Sequence, residues 1–183
     1  MSPATSPEAV PGSVGGPGLL QVDRENASVE FRRLLRHPIE EVWKAITDPE
    51  QLEQWFMVKV SRDPATGRIE MWHATGVRAT GQLLQWDPPR VYEYEWSVAP
   101  GSALPDGEES VVRFELSSVP EGTLLVLTHR KLTRRTAQVF ARGLKTYLDR
   151  LSALVDGTPL PDAAWLTGAP RPEPTDRSRR GGS

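Results

Sequence analysis

The sequence predicts an α+β fold in which a curved antiparallel sheet of about seven strands wraps around one long C-terminal helix. Three observations indicate this fold. Two short helical segments follow an early strand, turn signals divide the middle of the chain into short strands, and a long amphipathic helix comes last. A helix with a single apolar stripe must pack against a large surface, and the sheet is the large surface that this order supplies.

The first elements lie in the N-terminal third of the chain. Residues 28–36 are rich in β-branched and aromatic side chains and predict the first strand. Pro38 suits the first turn of a following helix, because the N–H that proline lacks is not needed there. Asp48 before Pro49 restarts the helical pattern with a capping residue. Two short helices with a break at Asp48 are therefore predicted.

The two helices carry apolar side chains at helical spacing. Ile39, Val42 and Ile46 form one face of the first helix with Trp43 beside them. In the second helix Leu52, Trp55 and Phe56 face inward. Core packing is the simplest role for both tryptophans, and Trp55 and Phe56 are also placed where a lid over a cavity would lie.

Turn signals between Val58 and Arg130 separate about six antiparallel strands. The turns are predicted at residues 63–67, 74–76, 87–89, 99–110 and 118–122. Residues 91–98 alternate most clearly, with Tyr92, Tyr94 and Trp96 on one face of the strand and two glutamates on the other. The aromatic face is predicted to point toward the helix.

The final helix has the clearest periodicity. Thr133 is a suitable N-cap, and Gly157 permits the left-handed backbone that ends many helices. The apolar residues between them recur at steps of three and four: Phe140, Leu144, Tyr147, Leu148, Leu151 and Val155.

The ends of the chain differ from the middle. Residues 1–21 are rich in Pro, Gly, Ser and Ala, and residues 161–183 are similar with several Arg, so both have too few large apolar side chains to offset the entropy of ordering. We expect two disordered tails around one folded domain at residues 22–160.

Composition excludes several classes of function. The formal net charge of −2 gives no basic field for nucleic acid or for an acidic membrane surface. The chain has no cysteine, which excludes disulfides, thiolate metal sites and cysteine nucleophiles. It also has no secretory leader pattern and no apolar run of membrane-spanning length, so we expect a cytoplasmic protein.

The order of elements and four sequence segments resemble the START-like (SRPBCC) helix-grip superfamily. Within it, the chain is similar to the bacterial proteins that resemble the C-terminal domain of the activator of the heat-shock protein 90 ATPase. The four segments are HPIEEVWKAITDPEQLEQWF (37–56), TGQLLQWDPPRVYEYEW (80–96), GTLLVLTHRKL (122–132) and GLKTYLDRLSALVDGTPLP (143–161). One departure is Leu144, where the family pattern usually has tryptophan.

The resemblance implies a helix-grip fold and several alternative functions. Members of the superfamily are carriers of lipids or hormones, polyketide cyclases, or cofactors of chaperones, so the function must be argued from the site. The eukaryotic co-chaperone has an additional N-terminal domain, and a short polar segment takes its place in this sequence. Contact with a chaperone or a regulatory protein remains one implied alternative.

The three histidines are the residues best suited to acid–base chemistry or metal binding. His37 precedes Pro38 at the start of a helix and is expected to be exposed. His73 and His129 share a strand face with apolar residues and can point into a cavity, where either can act as a general base. Two imidazoles without a third ligand make a poor zinc site, so no metal and no cofactor are predicted.

Other catalytic arrangements find little support. The sequence has no G-x-S-x-G motif, and its GGPG run opens no helix, so neither a serine triad nor a phosphate loop is predicted. Glu93 and Glu95 lie on the strand face opposite the aromatics, and no catalytic residue is assigned. Arg78 is expected to face solvent, with contact to a ligand carboxylate as the alternative.

The remaining interpretation is a pocket between the sheet and the last helix. Its predicted lining is aromatic and apolar, with two histidines as polar groups: Trp55, Met71, His73, Tyr94, Trp96, His129, Phe140, Leu144 and Tyr147. The leading hypothesis is a domain that binds a small hydrophobic or amphipathic molecule, with a stress-related or regulatory role as part of that hypothesis. The alternatives are an enzyme of cyclase or dehydratase type that uses a pocket histidine, and a cofactor resembling a chaperone ATPase activator.

Overall fold

The structure is a computed structural model that describes residues 15, 18–22, 26–101 and 104–167. The strands are β1 (Leu19–Val22), β2 (Ala27–Leu35), β3 (Val58–Arg62), β4 (Arg68–His73), β5 (Arg78–Asp87), β6 (Val91–Val98), β7 (Glu108–Val119) and β8 (Gly122–Leu132). The helices are α1 (Ile39–Thr47), α2 (Pro49–Trp55), α3 (Arg134–Val155) and α4 (Ala164–Thr167). The order of these elements is the predicted α+β order.

The strands form one antiparallel sheet in the order β1-β2-β8-β7-β6-β5-β4-β3. Consecutive strands from β3 to β8 are neighbours, which is the predicted meander, and β2 returns to pair with β8. The sheet and α3 enclose the main apolar core. This arrangement is a helix-grip fold, as predicted.

The break between α1 and α2 lies at Asp48, as predicted. The Asp48 carboxylate accepts hydrogen bonds from the backbone N–H groups of Glu50 and Gln51, at 3.0 and 3.1 Å. Pro49 occupies the first turn of α2, where its missing N–H costs nothing. The chain therefore turns sharply, and α2 directs Trp55 toward the core, where 1% of its surface is exposed.

The long helix α3 begins and ends at the predicted caps. The hydroxyl oxygen of Thr133 accepts from the N–H of Thr136 at 3.2 Å, and Gly157 adopts the left-handed conformation with φ of 64°. Leu148 and Leu151 are fully buried in the core. The predicted stripe is thus the face that packs on the sheet.

A glycine on β5 allows close approach of two strands. A Cβ atom at Gly81 would lie 2.0 Å from the carbonyl oxygen of Glu95 on β6, which no side chain tolerates. Immediately beyond it, the register of the two strands shifts between Leu83 and Gln85. These local irregularities alter the pairing of β5 and β6 beside the core.

Two short elements differ from the predicted boundaries. Strand β1 includes residues 19–21, which were expected in the N-terminal tail, and α4 lies within the expected C-terminal tail. Four residues without apolar alternation give little strand signal, and a single helical turn gives little periodicity. Within the described residues the sheet therefore has eight strands, while residues 1–14, 16–17 and 168–183 of the predicted tails lie outside them.

No helix among residues 18–22, 26–101 and 104–167 combines the length and the hydropathy that crossing a lipid bilayer requires.

Candidate functional site

A cavity of about 240 Å³ lies between the sheet and α3. All nine predicted pocket residues line it: Trp55, Met71, His73, Tyr94, Trp96, His129, Phe140, Leu144 and Tyr147. They come from α2, β4, β6, β8 and α3, so residues distant in sequence meet at one site. The alternation of the strands and the stripe on α3 bring them together.

Thirteen further residues in the described part of the chain line the cavity, and they were not among the nine predicted lining residues. Most are small or apolar: Phe56, Val58, Thr75, Val77, Ala79, Leu104, Val112, Phe114, Leu127, Val139, Gly143, Leu148 and Leu166. The alternation that identified Tyr94 also predicts Val112 and Phe114 on β7. Leu104 and Leu166 lie in a loop and in a short helix, where the sequence offers no periodicity.

The cavity wall carries no side chain that is charged near neutral pH, among the described residues. Its titratable groups are histidines and tyrosines, and the rest are apolar side chains, one threonine and one glycine. Val139, with 59% of its surface exposed, is on the rim and marks where the cavity meets solvent. The site is therefore an apolar space with a few hydrogen-bonding groups.

His73 and Tyr147 form the first polar pair. The tyrosine hydroxyl oxygen lies 2.6 Å from Nε2 of His73. On the other side of the ring, the backbone N–H of Thr75 donates to Nδ1 at 3.1 Å, and the Thr75 hydroxyl lies 2.7 Å from the same nitrogen. Since Nδ1 accepts a backbone N–H, the proton of neutral His73 sits on Nε2 and is donated to the Tyr147 oxygen.

Burial keeps both members of this pair in their neutral forms. Burial lowers the pKa of His73, and the Phe56 backbone, which favours the protonated ring as a hydrogen-bond acceptor, offsets part of that effect. Burial also raises the pKa of Tyr147 to about 12, although the positive charge of Arg150 opposes this. The Tyr147 hydroxyl therefore keeps its proton at physiological pH.

His129 and Ser110 form the second polar pair. The Ser110 hydroxyl lies 3.1 Å from the carbonyl oxygen of Trp96, to which it donates, and 2.8 Å from Nε2 of His129. Serine has one hydroxyl proton, so His129 donates from Nε2 and its Nδ1 carries a free lone pair. Burial lowers the pKa of His129 to about 3, so the ring is neutral near pH 7. The ring stacks on Phe140 at a centroid distance of 5.0 Å.

The helix α2 is fastened to α3 beside the cavity. Arg150 on α3 donates from Nε to the carbonyl oxygen of Trp55 at 3.0 Å and from Nη2 to that of Gln54 at 2.7 Å. The Trp55 indole N–H in turn donates to the carbonyl oxygen of Ala45 at 2.8 Å. These bonds satisfy carbonyl groups at the ends of both short helices. The predicted lid is thus held to the body of the domain by hydrogen bonds.

Residues 36–156 match the family model described as activator of Hsp90 ATPase homolog 1-like protein. This chain belongs to that family. The matched region runs from the end of β2 to the end of α3 and includes nearly all residues that line the cavity. No curated protein matches the chain.

Solved structures with the same architecture include several bacterial proteins. Protein MLL2253 from Mesorhizobium loti is 29% identical, with a TM-score of 0.65, over 73% of this chain and 99% of that one. CalU16 from Micromonospora echinospora is 27% identical, with a TM-score of 0.61, over 74% of this chain and 82% of its own. The protein encoded by BPP1335 from Bordetella parapertussis is 27% identical, with a TM-score of 0.62, over 86% and 89% of the two chains.

Within this family setting, one lining position departs from the expected pattern. Leu144 lies on the cavity wall, at the position where the family resemblance led us to expect tryptophan. An indole at that position would occupy more of the space between α3 and the sheet. The leucine therefore leaves room inside the cavity of this chain.

The other candidate residues lie away from the cavity. Arg78 faces solvent and pairs with Glu70 at 3.0 Å, as expected. Glu93 lies on the opposite sheet face and pairs with Arg113 at 3.1 Å and with Arg130. His37 was expected to be exposed, but 22% of its side chain is accessible because Nε2 contacts the Asp156 carboxylate at 2.7 Å.

His73 and His129 lie at separate positions on the cavity wall, against different parts of α3. His73 packs against Tyr147, while His129 stacks on Phe140, which lies about two helical turns earlier. Across the described residues, no group of three histidine, cysteine, aspartate or glutamate side chains is arranged to hold a metal ion. The two rings act as separate hydrogen-bonding groups.

Proposed function

We propose that this domain binds a small, mainly apolar molecule in the cavity between the sheet and α3. The observation that carries the proposal is an open cavity of about 240 Å³ whose wall is mainly aromatic and aliphatic. Protein interiors are normally close-packed, so a space of this size beside a well-packed core is a candidate binding site. Membership of a helix-grip family supports the same function.

Two features favour reversible binding over packing of the core alone. The cavity meets solvent at Val139, which gives a molecule a route in and out. The aromatic rings of Phe56, Trp96 and Phe140 supply large apolar surface for contact. We infer that burial of the molecule's apolar surface provides most of the affinity.

An enzyme of cyclase or dehydratase type is the second candidate, favoured by the hydrogen bond between His73 and Tyr147. The histidines themselves are weak candidates for a general base. Nδ1 of His73 already accepts from Thr75, and the pKa of His129 is lowered to about 3 by burial. The remaining chemistry is donation of a proton or a hydrogen bond by the Tyr147 hydroxyl, which binding alone also uses.

Contact with a chaperone stays a prediction that rests on the family resemblance. It does not depend on the cavity. A cofactor of this kind acts through its surface, and its test is the ATPase rate of the chaperone with and without this protein.

The binding proposal is tested by thermal unfolding in the presence of an organic extract of the host cells. A molecule that binds the folded state raises the unfolding temperature by mass action. A Cβ atom at Gly143 meets only Leu166 and Tyr147, at 3.7 and 3.9 Å, so substitutions there are sterically possible. Gly143→Leu should fill part of the cavity, and Gly143→Ala is its matched control.

We expect the extract to raise the unfolding temperature of the unaltered protein and of Gly143→Ala, but not that of Gly143→Leu. Equal shifts in all three proteins would place any binding outside the cavity. No shift in the unaltered protein with any fraction of the extract would contradict the proposal. The His73→Ala variant separates the candidates, since an enzyme should lose turnover whereas a carrier should keep most of its stabilisation by ligand.

A further inference from the structure

We propose that the cavity is selective for a neutral, elongated molecule that accepts a hydrogen bond from Tyr147 at one end and donates one to His129 at the other. This rests on the proposed function, because it specifies the polarity of the molecule that the cavity binds. The hydrogen-bond directions at the two polar pairs carry the inference.

The neutrality of the molecule follows from the wall of the cavity. Among the described residues, no aspartate, glutamate, lysine or arginine lines it. A carboxylate or an ammonium group in this space would lose its hydration, which is costly, without an oppositely charged side chain on the wall to pair with. The charge of Arg150, which acts on Tyr147 from outside the wall, is already held by backbone carbonyl groups. Neutral molecules incur no such cost, so the wall discriminates against fatty acids and amines.

Tyr147 supplies a hydrogen-bond donor. Its oxygen accepts the proton of His73 Nε2 at 2.6 Å, because Nδ1 of that ring is occupied by the Thr75 N–H. The hydroxyl proton of Tyr147 has no acceptor among the described residues, and the side chain lines the cavity. The hydroxyl is therefore ready to donate to a carbonyl or ether oxygen of a bound molecule, and the bond from His73 strengthens it as a donor.

His129 supplies a hydrogen-bond acceptor. Its Nε2–H is directed to Ser110 at 2.8 Å, because the serine proton goes to the Trp96 carbonyl. The lone pair on Nδ1 has no donor among residues 18–22, 26–101 and 104–167, and the ring lines the cavity. A hydroxyl or N–H group of the bound molecule would satisfy it.

The spacing of the two groups sets the length of the molecule. His73 packs on Tyr147 with ring centroids 5.4 Å apart, and His129 stacks on Phe140 at 5.0 Å. Phe140 and Tyr147 are seven residues apart on α3, which corresponds to about 10 Å along the helix axis. The hydroxyl of Tyr94 is also on the wall. Because it can donate or accept a hydrogen bond, it does not determine which end of the molecule carries the donor and which the acceptor.

Calorimetric titration with a series of biphenyls tests this inference on the full chain. One compound carries an acetyl group and a hydroxyl group at opposite ends. Its hydrogen-bond acceptor and donor are thus separated by the distance of about 10 Å that the spacing of Phe140 and Tyr147 along α3 sets. The controls are the acetyl compound, the hydroxyl compound, unsubstituted biphenyl, and a hydroxybiphenyl with a carboxylate in place of the acetyl group.

We expect the doubly substituted neutral compound to bind best. Removal of either polar group should weaken binding by between about twofold and tenfold, the range expected for one hydrogen bond. Tyr147→Phe should abolish the advantage of the acetyl group alone, and His129→Phe that of the hydroxyl group alone. The compound series is compared on the unaltered protein alone, so this part of the test remains valid even if a variant folds poorly.

Equal binding of all neutral biphenyls to the unaltered protein would overturn the inference and leave the proposed function intact. Tightest binding of the carboxylate would also overturn it, because the cavity would then tolerate charge. Absence of binding by every biphenyl would overturn it as well, and the cell-extract experiment would then decide separately on the proposed function.

Discussion

The hydroxyl oxygen of Tyr147 on α3 lies 2.6 Å from Nε2 of His73 at the end of β4. The contact joins the helix to the distal half of the sheet and closes one side of the cavity. Phe56 packs edge-on against the same tyrosine ring, with centroids 4.9 Å apart. The position of α3 over the sheet therefore depends partly on one hydrogen bond within an aromatic group.

Replacing Tyr147 with phenylalanine removes that bond and leaves the Nε2–H of His73 without its partner. We expect the free energy of unfolding to fall by about 1 kcal/mol. Urea denaturation measures the change. Tyr94→Phe is the matched control, since the Tyr94 hydroxyl has no hydrogen-bond partner among the described residues and its removal should change stability by less than about 0.5 kcal/mol. An equal loss in both variants would refute the role of the bond.

Stability should depend on pH through His129. The folded-state pKa of about 3 lies below the reference value of 6.5, so as pH falls the unfolded chain takes up a proton before the folded chain does. The free energy of unfolding should therefore decrease with falling pH, by about 1 kcal/mol between pH 6 and pH 5 from this group. Burial of His73 acts in the same direction.

Urea denaturation of the unaltered protein and of His129→Gln at pH 6 and pH 5 isolates the contribution of His129 to the pH dependence of stability. Glutamine can still donate to Ser110, but it does not titrate. The variant should lose less stability on acidification than the unaltered protein. Parallel pH profiles for the two proteins would show that His129 is not held neutral by burial.

Gly143 is a site where stability can be gained. It lies inside α3, and an added methyl group makes only ordinary contacts with Leu166 and Tyr147. Gly143→Ala should raise the free energy of unfolding by up to about 1 kcal/mol, because alanine loses less backbone entropy in a helix. Gly157→Ala is the contrasting control, and it should destabilise the protein because φ is 64° there. Thermal unfolding of both variants checks this prediction.

Arg150 should control local opening of the short helix beside the cavity. Arg150→Met removes its hydrogen bonds to the carbonyl groups of Gln54 and Trp55, and also the one to Pro161, but keeps an apolar side chain of similar length. We expect faster amide hydrogen exchange at Leu52 and nearby residues of α2. Arg142→Met, at an exposed position of the same helix, should leave the exchange unchanged. Unaltered protection in Arg150→Met would mean that packing alone holds α2.

Much of the fold could be predicted because its signals are local. The capping pattern at Asp48 and Pro49 located the helix break, and the periodic stripe from Phe140 to Val155 located α3. Strand β1 was not predicted, since its four residues are all exposed and show no alternation. Its pairing with β2 is a tertiary contact that no local pattern records.

The candidate site was predictable to the extent that side-chain direction follows from periodicity. Alternation on the strands and the stripe on α3 placed all nine predicted residues around the cavity. The partners of the histidines were missed, because Ser110 and Tyr147 are separated from them by 19 and 74 residues. Leu166 was missed for a related reason, since its single helical turn lies in a segment of tail-like composition.

The most direct test of the central claim is native mass spectrometry of the full chain purified from its own host. The account predicts one retained small molecule per chain in the unaltered protein and in Gly143→Ala, and none in Gly143→Leu. The retained molecule should be neutral and mainly apolar. Bare protein in all three preparations, or the same retained mass in Gly143→Leu, would contradict the claim that this cavity is a binding site.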